Sequence, residues 1–169
     1  MDLESAGHVE NENLNIELRE AVPDDEPFLL QLYASSRDDE LENVGWDENQ
    51  KQLFIKMQFL ARERTYPRVN NQIILLNGSA VGRLLVDTRE AVVLLVDIAL
   101  LREYRNVGIG SRLIKDLLEE SAASGKAVRL HVLSTSPAVR LYERLGFRTI
   151  GSEAAYFEMK WNPPVRGAS

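Results

Sequence analysis

A chain of 169 residues, 44% hydrophobic and 27% charged, has the make-up of one globular domain large enough to bury a core. It holds no cysteine, which excludes disulfides, thiolate metal sites and covalent cysteine intermediates. Its formal charge of -6 argues against a nucleic-acid surface and favours cationic small partners.

Residues 1–13, MDLESAGHVENEN, are acidic and lack an apolar centre, which predicts a disordered tail with no signal peptide and a cytoplasmic location. One domain is expected over residues 14–161, followed by a loose C-terminal tail, residues 162–169. LNIELREA alternates Leu14, Ile16 and Leu18 and predicts a half-buried strand. PDDEPFLLQLYASSR opens with proline and acids, the residues of a helical first turn. DENQKQLFIKMQFLARER predicts a second helix, with Leu53, Ile55, Met57 and Leu60 on a broad apolar face. NQIILLNGSAVGRLLVD carries Asn77-Gly78 between two β-rich runs and predicts a hairpin. AVVLLVDIALL reads as a central strand covered on both faces; Asp97 interrupts it, and it falls far short of the ~20 residues of a membrane helix.

In REYRNVGIGSRLIKDLLEE, Gly108 and Gly110 stand where a helix begins. Ile109, Leu113 and Leu117, with Ile114 and Leu118 beside them, give that helix a wide core-facing stripe. AVRLHVL predicts a strand with Val128, Leu130 and Val132 on one face and Arg129 and His131 on the other. SPAVRLYERLGF predicts a compact helix with Ser136 as N-cap, Pro137 as first helical residue and Gly146 as stop. AAYFEMKW closes the domain as a strand. The order β-α-α-β-β-β-α-β-α-β makes an α/β protein with a mixed sheet and helices on both faces.

Glycine weakens a helix by about 1 kcal/mol against alanine, so two of them at a helix start need a reason. The N–H groups there are unpaired and carry the positive end of the helix dipole; bare backbone lets a phosphate reach them. A tight turn with no ligand is the plainer alternative. ATP and NAD fit poorly, because there is no Gly-Lys-Ser/Thr ending and Leu113 stands where a dinucleotide fingerprint needs its third glycine.

The frame around the glycines is more specific. Arg105-Asn106-Val107-Gly108-Ile109-Gly110 matches the Arg/Gln-x-x-Gly-x-Gly/Ala signature of the GNAT superfamily of N-acetyltransferases, and SPAVRLYERLGF resembles that superfamily's Asn-Pro-Ala-x-x-Leu-Tyr-Glu-x-x-Gly-Phe segment. The element order is similar too, over about residues 14–161. The resemblance implies a mostly antiparallel mixed sheet with a splay between its central strands, and acetyl-CoA as co-substrate. It also implies transfer of the acetyl group to an amine by direct attack.

Residue by residue, it implies that the backbone of Arg105, Asn106, Val107, Gly108, Ile109, Gly110 and Ser111 wraps the pyrophosphate. Arg105 or Arg112 would add charge, while Arg102 and Lys115 read as solvated helix-end charges. A backbone N–H of the splayed strand at Ile98, Ala99 or Leu100 would hold the thioester carbonyl, and Ser136, Ala138 and Tyr142 complete the cofactor-binding set. Ser136 replaces the commoner asparagine and so loses an amide contact to the pantetheine arm. Tyr142 is the expected proton donor to the leaving thiolate, against the alternative of a tyrosine that merely packs its helix.

Asp97, a carboxylate inside an apolar strand, is a candidate proton relay or anchor for a cationic acceptor, and equally a strand-bulge residue. His131 is a candidate base or acceptor contact, with a structural role as the alternative. SSRDDELENVGWDENQ offers Asp38, Asp39, Glu40, Glu42, Asp47, Glu48 and Trp46 as an acceptor region for a cationic amine, or simply a solvated loop. The expected partner is a small-molecule or peptide amine; no nucleic acid, membrane or metal is expected, and a homodimer stays open. An acyl-CoA-binding module without turnover, or a transferase of another acyl group, are the alternatives.

Overall fold

The computed structural model of the protein describes residues 14–65 and 70–165, so the expected acidic tail at 1–13 and the last four residues lie outside the described residues. The elements run β1 (Ile16–Glu20), α1 (Glu26–Leu41, entered through a 3-10 turn at Pro23–Asp25), α2 (Glu48–Thr65), β2 (Asn70–Leu76), β3 (Ser79–Thr88) and β4 (Val92–Leu100). After a 3-10 turn at Arg102–Tyr104 come α3 (Ile109–Ala123), β5 (Ala127–Leu133), α4 (Ala138–Arg144), β6 (Arg148–Glu153) and β7 (Tyr156–Trp161). The seven strands form one mixed, mostly antiparallel sheet in the order β1-β2-β3-β4-β5-β7-β6. β4 and β5 pair in parallel, joined by the crossover through α3. The expected mixed α/β class is the one found.

The chain divides into two compact units. Among the described residues, one holds those up to Leu84 together with Ile98–Ile109; the other holds Leu85–Asp97 and residues 110–165. In the first, Leu29, Tyr33 and Leu41 of α1 meet Ile55 and Phe59 of α2 and Ile73 of β2 in one apolar cluster. Tyr33 and Phe59 lie 5.9 Å apart between ring centres. Asn77 and Gly78, both at positive φ (52° and 85°), make the tight turn of the β2–β3 hairpin, as their identities predict.

The expected face of α2 needs correcting. Ile55 and Phe59 are buried, but Leu53 and Met57 are 61% and 64% exposed, and Leu60 also faces solvent. At about 100° per residue, positions two apart lie on opposite sides of a helix, so Leu53 and Met57 cannot share a face with Ile55.

Arg83 of this unit is not singled out by any sequence pattern. Its side chain is buried in β3, where Nε donates to Asn71 Oδ1 at 2.8 Å and the guanidinium pairs with Glu63 Oε1 of α2 at 2.6 Å. Breaking a buried pair from one side strands the other charge. Glu63→Ala is therefore expected to lower the free energy of unfolding by about 2–3 kcal/mol in urea titration. Arg83→Met should cost less, because the partly exposed Glu63 can return to water.

In the second unit, Ile109's neighbours along α3 behave as predicted: Leu113, Ile114 and Leu118 are buried. Ser121, also buried in the stripe, satisfies its hydroxyl on Leu117 O at 2.8 Å. Val128 and Leu130 of β5 pair across to Trp161 and Met159 of β7 and are buried with them or beside them. The central strand is less covered than expected, since Val93 and Leu95 are buried but the alternate residues Leu94 and Val96 are half-buried.

A seventh strand, β6, joins the six predicted. Its residues are mostly exposed, it carries Gly151 with a register irregularity between Thr149 and Gly151, and it turns into β7 through Ala154 at φ 52°. None of the usual signals is there. An edge strand with a bulge shows no apolar alternation, and an alanine-alanine turn has no turn chemistry. Among the described residues, no helix is long and apolar enough to cross a membrane.

Candidate active site

In the first unit, the end of β4 leads into a loop whose backbone is unusual twice over. Asn106 has φ 62° and Gly108 φ 92°, left-handed values that asparagine tolerates and glycine adopts freely. Between them Val107 is exposed, and Ile109, 1% exposed, anchors the point where α3 starts. Arg105 Nε donates to Leu100 O at 2.9 Å, tying the loop back to the end of β4. Ile98, Ala99 and Leu100 are half-buried.

Gly82 of β3 lies against this strand end. A Cβ built there would come within 2.3 Å of Ala99 O and 2.8 Å of Leu100 Cδ2, so no other residue fits without moving backbone. Sequence reasoning passed over Gly82, although a glycine inside a strand is itself a sign of close backbone approach.

Trp46 sits in the connection between α1 and α2, edge-on to Phe54 at 5.1 Å. Its neighbour Asp47 is engaged locally. Asp47 Oδ1 accepts from Gln50 N at 2.8 Å and Gln50 Oε1 accepts from Asp47 N at 3.0 Å, a reciprocal cap for α2. That removes Asp47 from the free carboxylates of the region, while Asp38, Glu42 and Glu48 remain exposed. Asp39 and Glu40 have no described side chains.

In the second unit, α3 runs on from Gly110 and Ser111, both half-buried, in a first turn whose N–H groups have no partner within the helix itself. The helix α4 begins one residue later than predicted, at Ala138, but Ser136 still caps it: its Oγ accepts from Ala138 N at 3.1 Å. At the other end Gly146, φ 101°, closes a Schellman motif, with Phe147 N donating to Tyr142 O and Gly146 N to Glu143 O. The closure folds Phe147 back onto Tyr142, ring centres 5.5 Å apart and edge to face.

Tyr142 is 7% exposed. Burial, and behind it the negative charge of Asp97, push its hydroxyl up to about 12, so it keeps its proton throughout the neutral range. Two of the three candidate catalytic residues are thus linked through the effect of the Asp97 charge on the Tyr142 hydroxyl. The third is set apart from Asp97. The β4–β5 register sets Leu95 opposite Leu130, and strand alternation puts Asp97 on the Val93–Leu95 face. His131 points to the other face, exposed, across from Glu158, which pairs with Arg129.

That register stops at Leu95↔Leu130, while β4 continues to Leu100 and β5 to Leu133. Among the described residues no group of three or more His, Asp or Glu side chains could hold a metal ion.

Comparison with known proteins agrees with this geometry. Solved structures share the fold at low identity. PaiA N-acetyltransferase of Thermoplasma acidophilum, in complex with coenzyme A, is 17% identical with a TM-score of 0.67, over 87% of this chain and 98% of that one. The ribosomal-protein-S18-alanine N-acetyltransferase of Escherichia coli is 18% identical with a TM-score of 0.62, over 90% and 97%. A Corynebacterium glutamicum protein described as histone acetyltransferase HPA2 and related acetyltransferase is 20% identical with a TM-score of 0.64, over 91% and 99%. No curated protein matches the sequence. The family model described as "Acetyltransferase (GNAT) domain" matches residues 58–149, more than half of the chain, from α2 through the glycine loop and Tyr142 into β6, and the protein belongs to the GNAT family of acetyltransferases.

Proposed function

We propose that this enzyme moves the acetyl group of acetyl-CoA to a primary amine by direct attack in a ternary complex. The observation that carries the reading is the loop from Arg105 to Ser111, where two left-handed residues lead into the first turn of α3. Successive backbone donors of that kind suit a pyrophosphate. In this reading the amides of Asn106, Val107, Gly108, Ile109, Gly110 and Ser111 bind the phosphates, Arg105 braces the loop, and Ser136 and Ala138 lie along the pantetheine arm. The N–H groups of Ile98–Leu100 hold the thioester carbonyl and the oxyanion that replaces it.

The amine nitrogen bonds to the thioester carbon, the C–S bond breaks, and the thiolate receives a proton or hydrogen bond from Tyr142. The proton shed by the amine, whose ordinary pKa is near ~10.4, passes to ordered water. His131 takes no part in this reading, because it faces the opposite side of the sheet from Asp97. Trp46 with Glu42 and Glu48 suits the approach of a cationic acceptor.

Asp97→Asn is expected to raise the acceptor's KM or lower kcat while sparing CoA affinity. It should also move any alkaline fall of kcat to lower pH, since the loss of a negative charge lets Tyr142 ionise more readily. The move is partial, because burial is the larger cause and stays. A lowered melting temperature with unchanged kinetics would make Asp97 a strand residue and nothing more.

The deciding experiment is thiol release from acetyl-CoA against a panel of amines. The fold neighbours include a ribosomal-protein-alanine and a histone acetyltransferase, so peptide N-termini and lysine peptides belong in it, with polyamines and aminoglycosides. Amine-dependent thiol release supports the proposal. Tight CoA binding with no release for any amine would point instead to a binding module without turnover.

A further inference from the structure

We propose that Gly82 is a positioning residue for the transfer reaction: its bare backbone lets the Ala99–Leu100 peptide turn its carbonyl onto β3, and so aims the Leu100 N–H away from β3 as the donor to the thioester carbonyl. The proposal rests on the acetyl-transfer reading above and deepens it to one glycine and one amide.

Two independent observations orient that peptide. Ala99 O stands 2.3 Å from where a Cβ of Gly82 would be, so this carbonyl points at β3. No peptide bond among the described residues is cis. In a trans peptide the C=O and N–H point in opposite directions, so the Leu100 N–H points away from β3. The next peptide says the same by alternation. Leu101 N donates to Val81 O of β3 at 2.9 Å, while Leu100 O, on the opposite side, accepts from Arg105 Nε at 2.9 Å. Successive peptides of a strand alternate in direction, which again leaves Leu100 N–H on the side away from β3.

The β4–β5 register runs from Val92↔Ala127 to Leu95↔Leu130, so Leu100 is not among the residues it pairs. The Leu100 N–H is therefore held by the fixed peptides on either side of it and lies outside that register, the condition a preorganised donor needs. The glycine is required for close approach. A Cβ at position 82 would meet a backbone oxygen at 2.3 Å, a Leu100 methyl at 2.8 Å and an Ile74 methyl at 3.2 Å. The methyls can move, but the carbonyl can only turn away, taking the Leu100 N–H with it.

The test is Gly82→Ala, read by steady-state kinetics and by calorimetry with acetyl-CoA, CoA and S-ethyl-CoA, which lacks the carbonyl. The expected result is a kcat lowered by the ~10²–10³-fold typical of a lost oxyanion donor, with CoA affinity within about threefold of the parent. The parent's preference for acetyl-CoA over S-ethyl-CoA should shrink toward unity. A simple loss of stability would not produce that split. A folded Gly82→Ala enzyme with kcat within about twofold of the parent and an unchanged preference would overturn the proposal. If Gly82→Ala does not fold, Leu100 replaced by its α-hydroxy acid decides. The resulting ester has no N–H at that position, and the same split is expected; unchanged kcat overturns the assignment. An inactive parent that binds CoA would sink the transfer reading itself, a different outcome from either.

Discussion

Gly110→Glu should leave the protein folded, and no less stable, while raising the dissociation constant for CoA by at least about 100-fold in calorimetry. Position 110 is the second residue of α3. Glutamate replaces the poorest ordinary helix former, a gain of roughly 0.5–1 kcal/mol, and puts a carboxylate in the first turn, where the helix dipole favours negative charge. The N–H groups that would bind a phosphate then face a built-in anion and a side chain where the ligand must sit. Stability and affinity are expected to move in opposite directions. A glycine kept only for a tight turn would lose stability on substitution and leave the ligand alone. Unchanged CoA affinity in a folded Gly110→Glu enzyme would remove the loop from the binding site. Gly108 is the less informative position, because at φ 92° any side chain is strained whatever the loop binds.

What the sequence revealed of this protein was whatever rests on neighbours in the chain. The Asn77-Gly78 turn, the Ser136 cap and the Gly146 stop each depend on two to four consecutive residues, and all three function as expected. The apolar stripe of α3 was equally plain, because its spacing is helical throughout. Errors came where period and fold diverged. Leu53, Ile55 and Met57 alternate as in a strand, and inside a helix that spacing distributes them around the axis. β6 was missed because an exposed edge strand entering an alanine turn has nothing apolar to repeat.

The site divides along the same line. The glycine loop and Tyr142 were recognisable because they sit in compact motifs. The approach of Ala99 to Gly82, the Arg83–Glu63 pair and the placement of Asp97 and His131 on opposite faces all depend on strand register. Register is a long-range property, set by which strands meet rather than by any one strand's composition.

Tyr142→Phe should lower kcat by about 10²-fold and leave acetyl-CoA binding nearly intact, the lower end of the ~10²–10⁴ range for a lost acid–base group. The variant keeps the ring that packs edge-on against Phe147 at 5.5 Å, so α4 and its closure are preserved and only the hydroxyl is removed. The expected size follows from the chemistry of the pair. Burial first, and the Asp97 charge second, hold the hydroxyl at about 12, so it is protonated at every pH at which the enzyme would be assayed. A model thiol has a pKa of about 8.5, so full proton transfer from such a tyrosine to the departing sulfur is uphill. In the proposed reaction Tyr142 would then act mainly as a strong hydrogen-bond donor to sulfur while charge builds there, with solvent completing the protonation. The same argument fixes the pH behaviour. No loss of kcat from ionisation of Tyr142 is expected below about pH 11, whereas an ordinary tyrosine near ~10 would show one. A kcat for Tyr142→Phe within about twofold of the parent would mean the thiolate leaves without help from this hydroxyl, and would leave Tyr142 as a packing residue of α4.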